Sequence, residues 1–201
     1  MAVRAQDGDQ ATVRRAAALA LVLASGCSSG PPLPDWQLNA SQALQAFERD
    51  YLSGDTRAAK ADFARARAEI ARTGREDLLA RAELVRCAAQ VASLEFDDCP
   101  GFQALREGAG AEERAYADYL AGHGVHAVDD DALSRLVAAG VRMRTATIDP
   151  VAIAAAVELA SAQGWRRPLL AWLGVQVKRA EAAGDGETAA RLRRRMQLIS
   201  G

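Results

Sequence analysis

From Asp35 onward the apolar residues of this chain recur at three- and four-residue intervals, and no run alternates apolar with polar residues. That interval is the repeat of one face of an α-helix, whereas a half-buried strand needs a period of two. The spacing therefore predicts an all-α fold. Ala43, Leu44, Phe47 and Tyr51 make one such face, in a helix for which Asn39 or Ser41 is the expected cap. Ala59, Phe63, Ala66 and Ile70 make the next, beyond the break at Gly54-Asp55. The third helix, about Glu76 to Leu94, differs. Leu78, Leu79, Ala82, Val85, Ala88 and Val91 spread over a wide arc, so this helix should receive neighbours on several sides and sit at the centre.

The remaining helices follow from their stop and start signals. A short one is expected from Cys99 to Arg106, and another from about Ala111 to Gly122 with Tyr116, Tyr119 and Leu120. After the loop His123 to Val128, the run Asp129-Asp130-Asp131 is placed to cap a helix carrying Leu133, Leu136, Val137 and Val141. Asp149 caps the next, with Pro150 at the first helical position, where its missing N–H costs nothing. The last two helices are read from about Arg167 to Ala183 and from Glu187 to Ile199. Short turns between them imply antiparallel helical pairs.

One corner carries a more specific pattern. Gly54 is followed at five residues by Ala59, at nine by Phe63 and at twelve by Ala66, which resembles the turn and second helix of a tetratricopeptide repeat. Gly184-Asp185, with Ala189 and Met196 at matching offsets, opens a similar segment. The small residues let two helices approach closely while the larger one fills the space between them. The resemblance implies a tetratricopeptide-like solenoid of helical pairs, and the periodicity alone is served equally by an irregular helical bundle.

The N-terminal segment is of another kind. Arg14-Arg15 precede the apolar run Ala16 to Ala24, then Ser25-Gly26-Cys27, the order of a bacterial secretory signal. The run is about half the ~20 residues of a bilayer-spanning helix. With cysteine directly after the small residues, the stretch resembles a lipoprotein signal. The resemblance implies removal of residues 1–26, diacylation of Cys27 and an anchor in the membrane, while Ala24-Ser25-Gly26 also suits ordinary export to the periplasm. Residues 27–35, rich in Ser and Pro, read as a tether, and 36–201 as a single domain, a length sufficient for one core. Ser28 after the cysteine resembles lipoproteins forwarded to the outer membrane, so the expected location is its periplasmic face.

With Cys27 lipidated, Cys87 and Cys99 remain as a pair in an oxidising compartment, where a disulfide is expected. Cys87 lies about two turns before the end of its helix, and the residues after that helix are long enough to bring Cys99 back. The alternative is two separately buried thiols.

Charge and motifs bound the rest. The chain has 25 basic and 26 acidic residues, a formal net charge of −1, which carries no nucleic-acid footprint. No Gly-rich loop follows a strand pattern, so no phosphate cradle and no cofactor are expected. Ser134 and Ser161 lie inside helical pattern without the elbow that a nucleophile needs. The two histidines, His123 and His126, stand just before Asp129-Asp130-Asp131, and together they are candidate zinc or nickel ligands. Helix capping accounts for the aspartates without a metal. Arg191, Arg193, Arg194 and Arg195 form a basic cluster, and Trp165-Arg166-Arg167-Pro168 a basic corner. The expectation is a non-enzymatic, membrane-anchored helical module that binds envelope proteins. The alternative is a periplasmic metal-binding protein or enzyme built on His123, His126 and Asp129–Asp131.

Overall fold

The computed structural model describes residues 33–201, which are all-α. In chain order the helices are α1 (Asp35–Ser53), α2 (Thr56–Ala71), α3 (Glu76–Ala92), α4 (Pro100–Gln103), α5 (Ala111–Leu120), α6 (Ala132–Arg144), α7 (Pro150–Ala162), α8 (Arg166–Ala182) and α9 (Gly186–Ser200). Among the described residues there is no strand.

The first helix begins earlier than its capping residues suggested. Pro34 holds the N-cap position, and its carbonyl accepts the N–H groups of Gln37 and Leu38 at 2.9 and 3.3 Å. Asp35 in the first turn faces the positive end of the helix dipole. Asn39 and Ser41 are therefore exposed residues within the helix rather than caps. The other starts fall where the sequence placed them. Asp55, Asp131, Asp149 and Asp185 each accept a backbone N–H from the first turn of their helix, and Pro150 stands at the first position of α7.

The two corners that resemble tetratricopeptide turns are built alike. Gly54 and Gly184 take left-handed backbone angles, φ +93° and +73°, and the following aspartate caps the next helix. A side chain at either glycine would be strained at that φ. Beyond the first corner Ala59 and Ala66 are buried, and Phe63 meets Phe47 with ring centroids 5.1 Å apart. Beyond the second, Ala189 is buried and Met196 packs on the core.

α3 is the central helix. It packs against α1, α2, α4, α5 and α6, and its buried residues contribute to all three apolar clusters. The largest cluster joins Leu84, Cys87 and Val91 of α3 to Phe102, Leu120, Leu136, Ile153 and Trp172. Trp172 is wholly buried, and its indole N–H donates to the Ala92 carbonyl at 3.0 Å. This satisfies one of the carbonyls that the last turn of α3 leaves without a helical partner. Helix α6 reaches α3 through Gly140, which lies against Val91.

α1 also meets α8, far along the chain. In a simple solenoid each repeat touches only its neighbours, so this contact is a departure from that plan. The basic corner makes it. Arg166 donates from Nε to the Ser53 carbonyl at 3.1 Å, and Arg167 donates from Nε to the Tyr51 carbonyl at 2.7 Å. Arg167 also bonds Thr56 and Glu95 and lies 4.2 Å from the centre of the Tyr51 ring. Two guanidinium groups thus occupy the negative end of α1, where cations are favoured.

Candidate functional site

A groove of about 960 Å³ opens between α1, α3, α5 and α6. Its floor comes from apolar residues of the central helix, Leu84, Val85 and Ala88, and from Leu52 of α1. One wall is aromatic. Tyr116 and Tyr119, three residues apart on α5, stack with centroids 6.1 Å apart, and the His126 ring lies 4.8 Å from Tyr116 and 5.3 Å from Tyr119. Trp165, half-buried in the turn between α7 and α8, lines the groove as well. The helical spacing of the tyrosines and the return of the 123–131 loop put these rings together.

The polar lining is mainly acidic. Glu48, Glu112, Glu113, Asp129 and Asp131 face the groove, against Arg49 and Arg81. Both arginines already have carboxylate partners: Arg49 pairs with Asp50, outside the lining, at 2.8 Å, and Arg81 with Glu113, within it, at 2.5 Å, which leaves Glu48, Glu112, Asp129 and Asp131. Asp131 caps α6, accepting from the N–H groups of Leu133 and Ser134, both at 3.0 Å. Hydrogen bonds from Ser134 and these backbone groups hold its carboxyl below the usual range. Glu48 is in the opposite state. It makes no ion pair among the described residues, and burial, followed by the negative charge of Asp131, pushes its carboxyl up. Burial and the neighbouring Tyr119, Asp131 and Glu48 also push the Tyr116 phenol up to about 12.

A second, smaller pocket of about 310 Å³ adjoins the groove, sharing Gln45, Glu48, Arg81 and Val85. It is lined by Trp36, Leu44, Ile70 and Leu78 and lies between α1, α2 and α3. The groove therefore runs from an apolar end to an aromatic and acidic end.

The residues singled out in the sequence distribute as follows. Cys27 and the secretory pattern before it lie outside the described residues. Cys87 and Cys99 are both buried and at disulfide distance, with Cα atoms 5.8 Å apart. His123, His126 and the three aspartates do not assemble as a metal cluster. Among the described residues, the group of three or more candidate ligand atoms within 4.8 Å of one another is Cys87, Asp97 and Cys99, two of which are the paired sulfurs. Asp131 is turned to capping and His126 to the tyrosines, and both His123 and His126 are exposed. The C-terminal arginines are largely spent on neighbours. Arg193 pairs with Glu181, Arg195 with Glu158 at 3.6 Å, and Arg191 bonds Thr188 at 3.0 Å.

Sequence reasoning missed Glu48 and the tyrosine pair as site residues. In the sequence Tyr116 and Tyr119 show only as part of a helix face. Glu48 sits next to Phe47 and had no signal beyond being a carboxylate beside an apolar stripe. Missed too was Glu83, a carboxylate on α3 that is 1% exposed and paired with Arg67 and with Arg86, the latter at 3.0 Å. Its role is structural, since it ties α2 to α3.

Among the described residues the chain is all-helical, with an open groove in two adjoining parts. No family model, curated protein or solved structure matches the chain.

Proposed function

We propose that the protein is a non-enzymatic envelope lipoprotein, anchored through Cys27 to the periplasmic face of the outer membrane, whose helical domain binds other envelope proteins. The observation that carries the binding role is the groove between α1, α3, α5 and α6. Concave surfaces that combine apolar floor, aromatic walls and a few converging charged groups are the usual form of a recognition site. Here a carboxyl and a phenol that burial pushes up, Glu48 and Tyr116, lie in that same groove, and shifted groups of this kind gather at many functional sites. The anchor rests on the order of Arg14-Arg15, the apolar run and Cys27. A buried cysteine pair at disulfide distance accords with an oxidising compartment.

The anchor is tested by labelling cells that express the full chain with radioactive palmitate, beside a Cys27→Ser variant. The wild-type protein should take up label and partition into the membrane fraction, and Cys27→Ser should do neither. An unlabelled wild-type chain that is found soluble in the periplasm would replace the anchored reading by ordinary export.

A further inference from the structure

We propose that the groove receives an extended polypeptide segment of a partner protein, seating a basic side chain, Arg or Lys, among the Tyr116, Tyr119 and His126 rings and the Glu48 and Asp131 carboxylates, and a neighbouring apolar side chain in the Trp36–Leu78 pocket. This assignment rests on the reading of the groove as a binding surface and is independent of the lipid anchor.

Charge complementarity selects the cation. Acidic groups dominate the lining, and the two arginines there already have carboxylate partners. The stacked tyrosine pair and the His126 ring tilted against both, with centroids 4.8 to 6.1 Å apart, present π-faces and edges around the groove, and a guanidinium or ammonium within about 6 Å of a ring centre is attracted by its quadrupole. Glu48 lies half-buried with no cationic partner of its own among the described residues. A bound cation would supply one, relieving the repulsion between Glu48 and Asp131.

The adjoining pocket selects a polypeptide over a small organic cation. It shares Gln45, Glu48, Arg81 and Val85 with the groove but is lined by Trp36, Leu44, Ile70 and Leu78. A single ligand filling both compartments needs an apolar group and a cationic group on one backbone. Extended peptides offer alternating side chains at that kind of separation. An anionic or wholly apolar segment would leave the carboxylates desolvated without compensation.

Two of the three tryptophans report on the two compartments, since Trp36 lines the smaller pocket and Trp165 the groove, while Trp172 is wholly buried in the core. The test uses the full chain carrying Cys27→Ser, so that lipidation plays no part, and a capped hexapeptide alternating arginine and leucine. Titration at low ionic strength should give a saturable change in tryptophan fluorescence, lost in part in Trp36→Phe and in part in Trp165→Phe. Binding should weaken at least about tenfold in the double variant Glu48→Gln/Asp131→Asn, because a cation–π contact alone is worth little once the carboxylates are neutral. Asn remains a good N-cap, and the loss of the Asp131 charge is offset by the removal of the Glu48 penalty, so a single cooperative thermal melt with unchanged far-ultraviolet circular dichroism should show that the fold is intact. The proposal is overturned by the absence of saturable binding, by equal binding of the peptide with glutamate in place of arginine, or by an unchanged affinity in the double variant. Spermidine binding as tightly as the peptide would overturn the choice of a polypeptide.

Discussion

Glu48 and Asp131 are two carboxylates in one groove whose surroundings drive them apart. Asp131 is stabilised as an anion by the N–H groups it caps, whereas Glu48 is stabilised as the neutral acid by burial and by Asp131 itself. The linkage signs are opposite. A depressed carboxyl such as Asp131 adds stability above its unfolded pKa, and that stability is lost as the pH falls through the folded value. A raised carboxyl such as Glu48 subtracts stability at neutral pH, and the penalty fades as the pH falls through the folded value toward the ordinary 4.5. Glu48→Gln should therefore raise the melting temperature of the unliganded protein at pH 7 and leave it unchanged near pH 4. Melting curves of parent and variant across that range check the prediction. A gain that persisted undiminished at pH 4 would mean that Gln improves packing instead of removing a charge.

Between elements, the close pairing of α3 and α6 depends on a missing side chain. A Cβ on Gly140 would lie 2.9 Å from the Val91 carbonyl carbon and nearer still to its oxygen. By helix propensity alone, Gly140→Ala should gain about 1 kcal/mol. The obstacle is backbone, which cannot rotate away as a flexible side chain would, and overpacking of this kind costs roughly 1–3 kcal/mol. The clash should win, so Gly140→Ala is expected to destabilise the protein by a net ~1 kcal/mol, within a span of about 0–2, in urea denaturation. Gly174, with open space around it in α8, supplies the control: Gly174→Ala should stabilise. Corners between helices follow a second rule. Ala146 adopts φ +55° where Gly54 and Gly184 serve at the equivalent place after other helices, so the chain accepts local strain there to turn toward the Asp149 cap.

At the scale of the whole domain, the Cys87–Cys99 pair fixes the stretch after α3 against the central helix, at a separation of 12 residues. Closing a loop of that length lowers the entropy of the unfolded chain, and replacing both cysteines by serine should cost roughly 3 kcal/mol. Urea unfolding of Cys87→Ser/Cys99→Ser measures it. Thiol labelling of the denatured, unreduced parent should modify neither residue. The sequence alone determined the helices, the aspartate caps at Asp55, Asp131, Asp149 and Asp185, and the central place of α3, but not the start of α1 at Pro34. Those rest on short-range physics: the 3.6-residue period, aspartates at first turns and an apolar arc too wide for one neighbour. It also brought Cys87 and Cys99 within reach, because the stretch between them is short. What only the tertiary structure decided was the site. Proximity in the chain groups His126 with His123 and the aspartates, but the fold carries its ring onto the tyrosines. Glu48 became the distinctive carboxylate because the fold half-buries it in the groove that Asp131 also lines, and the basic corner at Arg166-Arg167 became the clasp on α1. Burial and the loss of water depend on which distant segments meet, and a one-dimensional pattern carries the faces of helices but not their partners.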